Sequence, residues 1–197
     1  MLEDGYHDIP PGKIAAIVTF LQMLEKPQPR AEASGPWTLS AKQAVDLDTY
    51  RAVWRSIGED WLWASRLVMS DEELASHVHA SGVELYLMEV AGRAEGIVEL
   101  DFRKAGDCEM LFFGLSPSQI GNGAGRWLMN RAIERAWSQP IHRFWLHTCT
   151  LDSPQALSFY QRSGFTPFSR QVEIFDDPRL AGHMSRDKAP HVPVLDP

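Results

Sequence analysis

Hydrophobic positions along the chain fall into runs of two different periods. Leu47, Tyr50, Val53 and Trp54 recur at helical spacing and make one face of a helix from about Asp46 to Ile57. Ser70-Asp-Glu-Glu73 is a capping box that opens a second helix, Asp71 to Ala80. Leu128, Met129, Ala132, Ile133, Ala136 and Trp137 define a third, from Gly123 to Trp137. For the fourth, Ser153 as N-cap, Pro154 at the first helical position and Gly164 as C-cap mark both ends. Between the helices lie short apolar runs of strand length. These are Trp37 to Leu39, then Val83 to Val90 and Gly96 to Arg103 as a hairpin, then Met110 to Leu115, then Ile141 to Thr150. Ser116-Pro117 stops the run at Leu115, because proline has no N–H and biases its predecessor away from helix. Phe165 to Phe168 and Gln171 to Phe175 read as a closing hairpin. The run from Lys13 to Leu24 is apolar enough for a strand or a helix, and periodicity does not decide between them.

This order predicts an α/β fold, a mixed sheet with helices on both faces. The strands Met110 to Leu115 and Ile141 to Thr150, separated by a helix, are expected as parallel neighbours through a right-handed crossover. Residues 1–36 read as an N-terminal arm and linker, because Lys26-Pro-Gln-Pro through Gly35-Pro36 is polar and proline-rich. The arm is expected to pack on the domain or on a partner subunit. The domain then spans 37–175, and 176–197 is an extended, mobile tail with little periodicity.

At 197 residues, 44% hydrophobic and 23% charged, the chain suits one globular domain whose core needs neither disulfide nor metal. The cysteines Cys108 and Cys149 fall in strand segments and are expected as free buried thiols, as in a reducing cytoplasm. No run of about 18 apolar residues occurs, and the acidic start is not a signal peptide, so membrane insertion and secretion are not expected. A net charge of −7 argues against a nucleic-acid partner, which needs a basic face, and is compatible with a cationic substrate. His77-Val78-His79 cannot place both imidazoles on one helical face, so no metal site is expected.

Chemistry is concentrated between the strand run Met110 to Leu115 and the third helix. Gly121, Gly123 and Gly125 sit where the strand hands over to the helix, whose first turn offers unpaired N–H groups and a partial positive charge. Glycines there let a phosphate approach the backbone. The Walker pattern is excluded because no lysine follows, and the dinucleotide fingerprint because Arg126 stands where a small residue is needed. The stretch Ile120-Gly-Asn-Gly123-Ala-Gly125 resembles the acyl-CoA loop of the GNAT N-acetyltransferases, Gln/Arg-x-x-Gly-x-Gly/Ala, with Ile120 in place of glutamine or arginine. Downstream, Ser153-Pro-Gln-Ala156-Leu-Ser-Phe-Tyr160-Gln-Arg-Ser-Gly164-Phe165 resembles that family's Asn-x-x-Ala-x-x-x-Tyr-x-x-x-Gly-Phe, departing only at Ser153. The resemblance covers about Leu39 to Phe175.

The resemblance implies a GNAT acyl-CoA N-acyltransferase-like fold in which the two central parallel strands splay. The gap, here between Phe113 to Leu115 and His147 to Cys149, would receive the pantetheine arm. It implies acetyl-CoA as cosubstrate, with Phe113, Leu115, Ile120, Gly121, Asn122, Gly123, Ala124, Gly125, Arg126, Ser153 and Tyr160 as its contacts. It also implies an amine acceptor, of a small molecule or a peptide. Transfer from a thioester to an amine needs a base for the ammonium, an N–H donor for the oxyanion and a proton for the thiolate. Tyr160 would stand beside the sulfur as proton donor, and Leu115 would supply the oxyanion N–H. Counting eleven residues back from Ile120 to the strand glutamate of the histone-type branch gives Glu109 as base, with Glu99 and Asp101 as rivals or a water chain instead. Trp61 and Trp63 lie where the family walls its acceptor pocket, although large aromatics commonly serve a core. His147 falls in the gap, where a strand histidine is ordinarily satisfied by packing and one hydrogen bond. A homodimer through the arm or the closing hairpin is compatible with this layout, as is a non-catalytic acyl-CoA-binding module.

Overall fold

A computed structural model describes residues 3–197; Met1 and Leu2, the first residues of the arm, lie outside the described residues. The elements are β1 (Lys13–Met23), β2 (Trp37–Lys42), α1 (Leu47–Gly58), α2 (Asp71–Val78), β3 (Val83–Val90), β4 (Arg93–Asp101), β5 (Asp107–Leu115), α3 (Ala124–Ala136), β6 (Arg143–Cys149), α4 (Ala156–Arg162) and β7 (Thr166–Asp176). They form one seven-stranded mixed sheet in the order β2-β3-β4-β5-β6-β1-β7, with β5 and β6 the parallel pair. The α/β class and the parallel crossover through α3 are as the sequence pattern predicts.

Alternate residues of β4 sort the helices onto opposite faces. Ile97 joins Trp54, Ile57 and Leu74 of α1 and α2, whereas Val98 and Leu100 join Leu128, Met129 and Ala132 of α3. Asp46 caps α1 by accepting from the Thr49 amide, and the Ser70–Glu73 capping box is formed in full.

Four expectations are corrected. The N-terminal segment is no appendage: β1 lies inside the sheet, antiparallel to β6 on one side and β7 on the other. Its even positions Ile14, Ala16 and Val18 are buried toward one face and its odd positions Leu21 and Met23 toward the other, so no single alternation marks it. The closing hairpin is instead one strand, β7, whose partner is β1, with Phe168 left unopposed at a bulge. The tail after Asp176 is folded, with Met184 and Ala189 buried against Ile14, Ala16 and Leu62. Buried Arg179 pairs with Asp177 and donates to the carbonyls of Lys188, Ala189 and Val192. Finally, α4 begins at Ala156 rather than Pro154, because Ser153 to Gln155 form a turn in which the Ala156 amide donates to the Ser153 carbonyl.

The proline-rich segment between β1 and β2 crosses the α3 layer and is tied to it. The carbonyls of Arg30 and Ala31 accept from Asn130 and Arg126, and Glu32 pairs with Arg131. No helix among the described residues is long and apolar enough to cross a membrane.

Candidate active site

The chain leaves β5 through a tight turn at Pro117–Gln119 and reaches the glycine loop, where Gly121 and Gly123 have φ of +87° and +98°. An L side chain is strained there, and at Gly123 a β-carbon would also stand 3.0 Å from that of Ala33. The amides of Gly121, Asn122, Gly123, Gly125 and Arg126 have no hydrogen-bond partner among the described residues. The Ala124 amide is different: it donates to Asn122 Oδ1 at 3.0 Å. The loop therefore presents a set of free N–H groups at the positive end of a thirteen-residue helix.

These groups border a cleft of about 310 Å³. Ile120, Gly121, Gly123, Gly125 and Arg126 line it from the loop, Phe113 and Leu115 from β5, and Ser153, Phe159 and Tyr160 from the α4 side. Of the contacts expected for the cosubstrate, Asn122 and Ala124 do not line it. Asn122 turns its side chain to Gln119 and the Ala124 amide, and Ala124 is fully buried. Three arginines, Arg30, Arg126 and Arg162, also line the cleft, and none pairs with an acid among the described residues. Burial and the charges of Arg126 and Arg162 push the Arg30 pKa down. An anion between them would relieve that repulsion.

The parallel pairing of β5 with β6 runs only from Asp107/Arg143 to Glu109/Trp145. Beyond it the strands separate, and Leu111 is left unopposed in the β4–β5 ladder, a bulge that bends β5. Ser116 donates its amide to the Glu95 carbonyl, so alternation turns the Leu115 and Phe113 N–H groups away from β4 and into the gap. The expected oxyanion donor thus faces the opening. Gly114 beside it admits no side chain, since a β-carbon would lie 2.4 Å from Ile57 and 2.9 Å from Trp63.

On the α1/α2 face a second cavity of about 690 Å³ opens between β5, β6, the segment after α1, β7 and the folded tail. Trp61, Trp63, Phe113, Asp152 and Tyr160 line both spaces, so the two meet at the gap. Trp61 and Trp63 stand in the wall of both spaces. Tyr160 is 8% exposed, packs against Phe113, Phe159 and Phe165, and its hydroxyl has no partner among the described residues. Burial, followed by the charge of Asp152, raises its pKa well above the ordinary phenol value, so the hydroxyl stays protonated at neutral pH.

Glu109 lines neither space. It stands at the paired end of β5, about 13 Å along the strand from Phe113 at 3.3 Å per residue. Burial, followed by the charge of Asp101, raises its pKa from 4.5 to about 7. His147 does line the larger cavity, and its Nδ1 is 3.8 Å from Glu109 Oε1. The rivals are otherwise engaged. Buried Glu99 accepts from Tyr50 at 2.8 Å and pairs with Arg66 at 2.5 Å, and Asp101 holds Arg103. Sequence reading did not single out Asp152, Arg30 or Arg162. Asp152 and Arg162 lie next to or within the tyrosine motif, and Arg30 lies on the linker, which no motif marks. Both thiols are free, Cys108 buried and Cys149 half-buried, and burial raises the pKa of each.

A profile of the acetyltransferase (GNAT) family matches residues 47–165. No curated protein sequence matches the chain. Similar solved structures include a functionally unknown conserved protein from Staphylococcus epidermidis, with 13% identity and a TM-score of 0.59 over 84% of this chain and 63% of that one. A GCN5-related N-acetyltransferase from Sphaerobacter thermophilus shows 17% identity and a TM-score of 0.59, over 85% of this chain and 53% of that one. A GNAT family acetyltransferase from Elizabethkingia anophelis with acetyl-CoA bound shows 18% identity and a TM-score of 0.53, over 69% and 80%. The chain therefore spans under two thirds of the first two structures, and at these identities the likeness is one of fold.

Proposed function

Since the chain belongs to the GNAT acetyltransferase family, we propose that it moves the acetyl group of acetyl-CoA to a primary amine by direct attack in a ternary complex. The observation that carries this reading is the meeting of the two spaces at Tyr160, one bordered by free amides and arginines, the other by aromatic side chains.

In the proposed complex the diphosphate rests on the free amides of Gly121, Gly123, Gly125 and Arg126, with Arg30, Arg126 and Arg162 balancing its charge. The acyl arm follows β5 into the gap, which brings the thioester to Leu115 and Tyr160. The amine enters from the larger cavity and loses a proton there before it attacks, because an ammonium near pKa 10.4 has no lone pair to offer. Its nitrogen attacks the thioester carbonyl, the Leu115 N–H supports the oxyanion, and collapse breaks the carbon–sulfur bond. Tyr160 donates to the departing sulfur. The net change is acetyl-CoA plus ammonium to amide, free CoA thiol and one proton.

The proton leaving the amine is assigned to Glu109 by way of His147, which borders the cavity and faces that carboxylate. A distance of 3.8 Å exceeds a hydrogen bond, so the pair must close when the proton passes. With a pKa of about 7 the carboxylate is poised to accept and release protons at neutral pH. Following free thiol while the protein is mixed with acetyl-CoA and a panel of amines tests the proposal. Amine-dependent thiol release supports it. CoA binding with no transfer to any amine would instead favour a non-catalytic binding module.

A further inference from the structure

Resting on the transfer reading above, we propose that the acceptor is an amine with an apolar, preferably aromatic body and no carboxylate, and that Asp152 receives its ammonium group.

The larger cavity has aromatic side chains in its wall, Trp61, Trp63, Phe112 and Phe175, which suit an apolar body. Its charged lining is of one sign: Asp152, Glu173 and Asp176 border it, and no lysine or arginine does. Asp176 is paired with Lys13 at 2.6 Å, which leaves Asp152 and Glu173 as the free charges. His147 and His183 add imidazoles but no fixed cation.

Asp152 is the acid at the junction, lining both the cleft and the cavity next to Tyr160. Its carboxylate is fixed by three donors. Trp63 Nε1 donates to Oδ1 at 3.0 Å, while Thr148 Oγ1 and the Cys149 amide donate to Oδ2 at 2.6 and 3.0 Å. A carboxylate has about four acceptor positions, so Oδ1 keeps one for an ammonium.

An α-amino acid would carry its carboxylate only two bonds from the attacking nitrogen. That group would stand beside the Asp152 carboxylate in a cavity whose lining holds no lysine or arginine to meet it. A matched amine lacking the carboxylate meets no such opposition. The same reasoning disfavours acidic peptides.

The test compares matched pairs, phenethylamine against phenylalanine and tryptamine against tryptophan, in the thiol-release assay. Each amine is expected to exceed its amino acid at least a hundredfold in kcat/KM. Asp152→Asn is expected to raise the KM for phenethylamine at least tenfold while calorimetry shows acetyl-CoA binding unchanged. Thr148→Val, which removes one donor but keeps the charge, is expected to change that KM less than threefold. Amino acids used as well as the amines, or Thr148→Val losing as much as Asp152→Asn, would overturn the inference and leave the transfer reading standing. If no amine turns over, titration of phenethylamine and phenylalanine into the CoA complex decides. Binding of the amine alone retains the site and removes the transfer reading, and binding of neither removes the site.

Discussion

Glu109→Gln separates what the buried carboxyl costs the fold from what it does in the reaction. The group titrates at about 7 instead of 4.5 because the sheet strips it of water and Asp101 opposes its charge. At about 1.4 kcal/mol for each pH unit, a rise of this size corresponds to about 3 kcal/mol. The folded state holds the proton more tightly than the unfolded chain, so the carboxyl adds no such penalty below about pH 4.5. Stability attributable to it falls as the pH rises toward 7 and stays low above. Glutamine has the same shape and no titration. The advantage of the variant over the parent should therefore grow by about 3 kcal/mol between pH 4.5 and pH 8, read by urea unfolding followed through tryptophan fluorescence. In turnover the same change should lower kcat and abolish the rise of kcat through about pH 7 that the parent shows. A stability difference that is constant with pH would refute the burial argument, and an unchanged pH–rate profile would remove Glu109 from the proton path.

Tyr160→Phe keeps the aromatic packing and removes the proton donor, so kcat should fall about a hundredfold while calorimetric CoA affinity stays within a factor of two. Gly123→Ala forces a left-handed backbone and presses on Ala33; melting should show a loss of about 1–2 kcal/mol, and CoA binding should weaken about tenfold. Glu99→Ala leaves the Arg66 guanidinium and the Tyr50 hydroxyl buried without their partner and should cost about 3–5 kcal/mol in urea unfolding.

The glycine loop was legible because its chemistry is local. Positive φ at Gly121 and Gly123, followed at once by an apolar helical repeat, is written in adjacent residues. Tyr160 was legible for the same reason, standing within one short helix. β1 was not, because Ala15 and Ile17 on its exposed side are as apolar as Ile14 and Ala16 on its buried side. The tail escaped because hydrogen bonds from one arginine to three carbonyls shape it, and such an arrangement leaves no periodic trace. For Glu109 the local count reached only part of the geometry. Counting along the chain placed it correctly on β5, but the spacing does not say where the two parallel strands part, and they part beyond it. The role of Asp152 depends on Trp63, 89 positions away in sequence, reaching back to it across the gap.

A crystal structure of the protein with acetyl-CoA would show directly whether the glycine loop and the gap in the sheet hold the cosubstrate. The diphosphate is expected on the free amides of Gly121, Gly123, Gly125 and Arg126, the thioester in the gap between β5 and β6, and its sulfur within hydrogen-bond reach of the Tyr160 hydroxyl. A cosubstrate bound elsewhere, or bound on the loop with its acyl arm outside the gap, would contradict this placement.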